Sequence, residues 1–295
     1  MTDLTETLAH QLATEVKAPR SSRRKIRRRG VDRIPIWERI VVVIVAIFFI
    51  APALIVIPMS FSTSTTFQFP PKGFSLHLYE RFFTVTDSPA TNWLGSLGHS
   101  VLVAVLVAIL ATLCGTAAAI GLDRLPGRIP RLVRTLLMLP LVAPSIVVAV
   151  DIYVVYLQWH LVGSLQGYVL AHTAIALPFV IVSVTASLGG FDRGLLRASA
   201  SLGASPWRSF VTVTAPLISR GIITGAVFAF VTSFDEVVIA LFIRSPQFQT
   251  LPVQMYNAVT SEIDPTIAAA ASIIVVVVTI IFLAPQLIGG RKRAR

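Results

Sequence analysis

Charged side chains are scarce in this 295-residue chain: Asp, Glu, Lys and Arg make up 13% of it, against 55% hydrophobic residues and a mean hydropathy of +0.78. A soluble domain of that length needs far more charge to cover its surface, so a water-facing globule is excluded. The single cysteine, Cys114, lies inside an apolar run. It excludes an intramolecular disulfide, leaves the redox compartment open, and is expected to be a small packing residue. No Gly-Lys dipeptide occurs. The phosphate-cradling loop of an ATPase needs that lysine beside glycine-rich backbone amides, so ATP binding of that kind is excluded for this chain. The five histidines are scattered, with no second histidine or cysteine at metal-ligand spacing, and no nucleophile elbow is present. Catalysis therefore has no support, no metal or cofactor is expected in the chain, and the energy for any transport must come from a partner or an ion gradient.

What is present is a series of apolar runs of about 20 residues, the length a helix needs to cross a hydrocarbon core of about 30 Å. Six spans are predicted, at 40–59, 100–122, 135–158, 164–187, 219–243 and 266–288. The formal net charge of +11 does not point to nucleic acid, because the basic residues sit between and beside the apolar runs. Residues 1–39 hold ten of them; Arg124, Arg128, Arg131 and Arg134 follow the second span; Arg193, Arg197, Arg208 and Arg220 follow the fourth; four more end the chain. The opposite connections contain only Lys72, Arg81 and Arg244, a split of 22 against 3. The positive-inside rule then predicts that both termini are cytoplasmic.

The expected organisation is a basic tail over 1–39, a first transmembrane helix over 40–59, an extracytoplasmic connection over 60–99, a membrane core over 100–290 and a basic end over 291–295. The run from Ile40 to Pro58 is longer than the apolar core of a secretory signal, and Met59-Ser60-Phe61-Ser62 lacks a small-x-small cleavage pattern, so an uncleaved span is expected. The charge of the tail suits anionic lipid.

The longest internal connection, 188–218, is not a simple turn. Leu195, Leu196, Ser199 and Leu202 predict a short amphipathic helix, Gly203 ends it as glycine does at a helix C-terminus, and Pro216 opens the fifth span. The stretch Arg197-Ala198-Ser199-x-x-x-Gly203, with Val213 ten and Pro216 thirteen residues beyond the glycine, resembles the Glu-Ala-Ala-x-x-x-Gly…Ile-x-Leu-Pro loop of binding-protein-dependent ABC importer permeases. The resemblance extends over about 95–288. It is strongest for the second permease subunit of spermidine/putrescine-type systems, through ALPFVIVSV (176–184), GFDRGLLRASASLGAS (190–205), SFDEVVIALFI (233–243) and LPVQM…EIDPTIAA (251–269). It implies an all-α integral membrane protein with six transmembrane helices in the type I ABC importer permease (MetI-like) fold, in the bacterial inner membrane. Residues Arg197, Ala198, Ser199, Leu202, Gly203, Ala204 and Pro216 would then form the coupling element that sits in a cleft of an ATP-binding subunit. The implied partners are a second permease, an ATPase dimer that carries ATP and Mg, and an extracytoplasmic solute-binding protein, with a polyamine as the expected solute. The chain departs from the pattern at Arg197, where glutamate is usual, at Ser199, where the second alanine stands, and at Ala215, where leucine precedes the proline.

Three acids fall inside predicted spans: Asp151 in the third, Asp235 and Glu236 in the fifth. A carboxylate at that depth is costly and marks either a pathway or a structural partner. Asp151 and Asp235 each lie about sixteen residues from the inner end, roughly 24 Å at helical rise, which predicts a common outer layer suited to a cation. On a continuous helix Asp235 and Glu236 would project about 100° apart. The alternatives are that Asp235 caps a helix break near Thr232-Ser233 or that Glu236 bonds a neighbouring helix. An ion-coupled secondary transporter would use Asp151 or Asp235 directly but has no need of the long loop, and an assembly factor leaves the carboxylates unexplained. Close helix packing is expected at Gly163-x-x-x-Gly167 and Gly221-x-x-x-Gly225, kinks at Pro52, Pro140, Pro144 and Pro178, and interface anchoring by Trp93, Trp159 and Trp207.

Overall fold

The computed structural model describes residues 35–290 apart from 65, 67, 87, 89, 90, 191 and 262; most of the basic tail (1–34) and the basic end (291–295) lie outside the described residues. By internal contacts the chain divides into Met1–Phe49 and Ile50–Arg295. Helix α1 (Ile36–Met59) runs through that boundary, with Glu38 and Arg39 in its first turn and apolar residues or proline over 40–59. The second unit holds α2 (His77–Phe83), α3 (Trp93–Arg124), α4 (Ile129–Val142), α5 (Ser145–Trp159), α6 (Leu165–Leu188), α7 (Gly194–Ser201), α8 (Pro206–Ser209), α9 (Ala215–Phe234), α10 (Val238–Ile243), α11 (Leu251–Thr260) and α12 (Thr266–Gly290). The one β pairing among the described residues is an isolated bridge between Ser62 and Phe74.

The centre of the second unit is α3, α6 and α9 packed on one another. Lipid tails are as apolar as leucine, so burial from water does not hold such helices together; close packing at small residues does. A Cβ at Gly115 of α3 would stand 2.7 Å from Val180 Cγ1 of α6, and one at Gly225 of α9 3.1 Å from Val180 Cα. At Gly221 it would collide with Ser187 Oγ and stand 2.7 Å from the Ser183 carbonyl oxygen. The expected packing role of Gly221 and Gly225 is thus met. Gly163 and Gly167 differ: Gly163, at φ +72°, belongs to the turn between α5 and α6, where its N–H donates to the Ile243 carbonyl at 2.7 Å.

Among the described residues four helices are long and apolar enough to cross a membrane: Ile36–Met59, Trp93–Arg124, Leu165–Leu188 and Pro206–Phe234. The predicted third span is not one straight helix, because α4 and α5 meet at 103°; counted as one broken span they make a fifth. Pro144 explains the break, since it restricts Ala143 to extended backbone (φ −67°, ψ 136°). The predicted fifth span ends at Phe234, short of 243, and α12 covers the predicted sixth as one 25-residue helix.

Two residues change role from the sequence expectation. Trp93 is 2% exposed and packs with Phe82, Leu251, Ala258 and Ala270, so it is an interior residue and not an interface anchor, whereas Trp159 and Trp207 are exposed. Cys114 faces outward from α3 and is not an interior packing residue.

Candidate functional site

The connection after α6 builds a defined structure at the arginine-rich end of the bundle. Asp192 Oδ1 accepts the N–H of Gly194 at 2.8 Å, which satisfies one of the amides left free where α7 begins. Arg193 Nη2 donates to Asp123 Oδ2 at 3.0 Å and to the Asp123 carbonyl at 3.3 Å, tying the start of α7 to the end of α3. At the other end Gly203 adopts φ +80°, its N–H donates to the Ala200 carbonyl at 2.9 Å, and the Ala204 N–H donates to the Ser199 carbonyl at 3.1 Å. This pair of bonds around a left-handed residue is the Schellman ending that the glycine predicted.

Ser199 Oγ and Ser209 Oγ lie 2.8 Å apart and join α7 to α8. Arg197, Ala198, Leu202, Gly203 and Pro216 are exposed, while Ser199 and Ala204 are half-buried. A groove of about 430 Å³ runs between α7 and the ends of the long helices, lined by Ile120, Leu188, Leu196, Arg197 and Thr214 among others.

Pro216 does not open the following span. The helix starts at Pro206, with Ser205 Oγ accepting the Arg208 N–H at 3.3 Å, and runs through a π turn over Phe210–Thr214 into α9. Pro216 has no N–H to give to Thr212, and the widened turn, in which the Ala215 N–H bonds the Phe210 carbonyl, absorbs that loss.

The acids lie elsewhere. Asp151 is exposed on α5 and borders a shallow recess of about 220 Å³ with Ile146, Val147 and Val150. Because the chain turns by 103° before α5, counting residues from Arg134 does not give the depth of Asp151, and the common layer with Asp235 has no basis in that count. The helix break falls at Asp235-Glu236-Val237, not at Thr232-Ser233, so the 100° projection of a continuous helix does not apply. Glu236, not Asp235, supplies the cap: its Oε1 accepts the Ile239 N–H at 2.8 Å at the start of α10. Asp235 is exposed, and neither it nor Asp151 has an ion-pair partner among the described residues.

The sequence reading missed what braces this break. His172 of α6 is fully buried, with Nδ1 3.0 Å from Ser233 Oγ just before it. Tyr168, one turn away and equally buried, directs its hydroxyl at the carbonyls of Ala240 and Phe248, both at 3.4 Å. The available signal was a Tyr-x-x-x-His pair, residues on one helical face, inside an otherwise apolar span.

Residues 111–293 match the family of binding-protein-dependent transport system inner membrane components. The chain is 31% identical over 241 residues to the spermidine/putrescine transport system permease protein PotC of Escherichia coli (strain K12), covering 82% of this chain and 89% of that protein. It is 28% identical over 251 residues to the putrescine transport system permease protein PotI of the same strain, covering 79% and 83%. In fold it resembles a chain of a bacterial ABC transporter that imports the acidic polysaccharide alginate, with a TM-score of 0.66 at 14% identity over 88% of this chain and 96% of that one. The all-helical architecture, the long apolar helices and these matches agree: the chain belongs to the binding-protein-dependent transport system inner membrane components, the permease subunits of ABC importers, and is a transport subunit rather than an enzyme.

Proposed function

We propose that this chain lines half of the translocation path for a small cationic solute of the polyamine class, beside a second permease. An ATPase dimer that binds ATP and Mg would drive it through residues 195–203, and an extracytoplasmic binding protein would deliver the solute. The solute class is supported by similarity to PotC and PotI over about four fifths of the chain. The observation that carries the coupling role is the eight-residue helix α7, held at both ends and presented on the surface. Asp235 and Asp151, exposed and without an ion-pair partner among the described residues, are the proposed contacts for ammonium groups; Glu236 acts indirectly by holding α10. In this arrangement six helices cross the bacterial cytoplasmic membrane, α4 and α5 together forming the third and α12 the last.

The test is uptake of labelled spermidine and putrescine by proteoliposomes holding the whole transporter. Uptake should require ATP and the binding protein, and Asp235→Asn should lower it several-fold by removing a charge from the path. Uptake of neither amine, with uptake of another solute, would remove the polyamine assignment. Reporters check the orientation: one fused after Arg295 should be active only in the cytoplasm, one inserted near Pro246 only outside, and the reverse pattern overturns it.

A further inference from the structure

At the surface of α7 the charge is opposite to that of the pattern it resembles, and no carboxylate among the described residues pairs with it. Two carboxylates at the start of α7 are already engaged, Asp192 by the Gly194 N–H and Asp123 by Arg193. Arg197, one turn beyond Arg193, is exposed and has no ion-pair partner among the described residues. Arg208 is likewise exposed and unpaired, and the Ser199–Ser209 bond holds its segment against α7. On the same connection Leu202 is 88% exposed and Trp207 72%, the Trp207 ring 5.5 Å from that of Phe210. Apolar knobs among unpaired arginines describe a surface that is complete only against a partner with hollows and carboxylates.

We infer that this face docks into a cleft of the ATP-binding subunit whose rim is acidic, a partner carboxylate pairing with Arg197; this rests on the coupling role proposed above for 195–203. Arginine presents a planar fork that a carboxylate can meet with two hydrogen bonds, so the pairing sets register as well as attraction. An anionic bilayer would also attract arginines, but a helix lying on a bilayer needs an apolar stripe along its outer side. On α7 the exposed apolar side chains of one face are Leu195 and Ala198, with Leu202 just beyond its end, a stripe of only about two turns; binding to a bilayer scales with the apolar area buried, so a stripe this short gives little hold on lipid. The most exposed large apolar groups of the connection, Leu202 at the end of α7 and Trp207 on α8, are instead separate knobs for a pocket.

The experiment uses the assembled transporter, with both permeases, the ATPase and the binding protein, and measures ATPase retained on the tagged chain at rising salt together with solute uptake. Arg197→Glu should weaken retention roughly tenfold or more, because it sets two negative charges against each other at the rim, and uptake should fall with it. Arg197→Lys should keep most of both, and Arg197→Ala should make retention less sensitive to salt. Leu202→Asp serves as the control for the coupling role itself. If Leu202→Asp releases the ATPase while Arg197→Glu does not, the segment couples but its charge has no acidic partner, and the inference is overturned. If neither releases it, the coupling role falls too. Repeating uptake in phosphatidylcholine and in phosphatidylglycerol vesicles separates the membrane: a defect of Arg197→Glu seen only with the anionic lipid, with ATPase retention intact, also overturns the inference.

Discussion

Gly203→Asp should abolish uptake, to less than roughly a tenth of wild type, while the protein still accumulates in the membrane. Gly203 sits at φ +80°, and a Cβ added there meets no atom within 4 Å. The change is therefore accommodated sterically, at about 1 kcal/mol of backbone strain, since a left-handed residue other than glycine costs about that much. It also places a carboxylate beside the Ala200 and Ser199 carbonyls that close α7, at the negative end of the helix dipole. None of these costs reaches the packed helices α3, α6 and α9. The loss should instead come from the surface next to Leu202 and Arg197, where new negative charge opposes docking. Gly203→Ala is the matched control, with similar strain and no charge, and should retain most of the uptake. Wild-type uptake with Gly203→Asp, or a loss that tracks degradation, would show that this turn is not part of the coupling element.

Gly221→Val is expected to act at the opposite extreme, removing the protein from the membrane. The added Cβ would fall on Ser187 Oγ and within 2.7 Å of the Ser183 carbonyl oxygen. A serine side chain can rotate away, but the carbonyl is part of the α6 backbone and can yield only if α6 and α9 separate. Overpacking of that kind costs about 1–3 kcal/mol where neighbours can shift, and more where the obstacle is backbone. Separation would also loosen the Gly225–Val180 and Gly115–Val180 contacts, which use the same stretch of α6. Membrane abundance measured by immunoblot, and the midpoint of thermal aggregation in detergent, should both fall. Normal abundance with normal uptake would mean that α6 and α9 do not approach this closely in the membrane.

Much of the architecture follows from the order of residues alone, because the signals are local. Apolar runs of span length between arginine-bearing connections identify the helices and their polar ends, since hydration and helix length depend on composition. The ending of α7 was equally legible: a glycine after a short amphipathic run takes the left-handed position whatever surrounds it, and Gly203 does so. Gly221 and Gly225 announced close packing by their spacing, though not that α6 would be the neighbour.

What only the tertiary structure decided are relations between distant segments. Residue counting placed Asp151 at a depth that the 103° bend before Ser145 removes, because a proline signals a possible kink but not its angle. Hydropathy carried the fifth span through to 243, whereas the chain breaks at Asp235–Val237, where Glu236 caps a new helix and His172 and Tyr168 brace either side from α6. Those braces join residues 61 and 72 positions apart, and pairing at that separation depends on how α6 packs against α9 and α10, not on any local pattern. Trp93 has the composition of an interface anchor in its own segment, yet the approach of Phe82, Leu251 and Ala258 buries it. The sequence by itself therefore determined which segments are apolar enough to be spans, how the short helix α7 ends at Gly203 and which residues carry charge. Tertiary packing decided which acids are caps, which arginines find an ion-pair partner among the described residues and which aromatic residues are interior, because each depends on what a second segment brings within hydrogen-bonding or van der Waals reach.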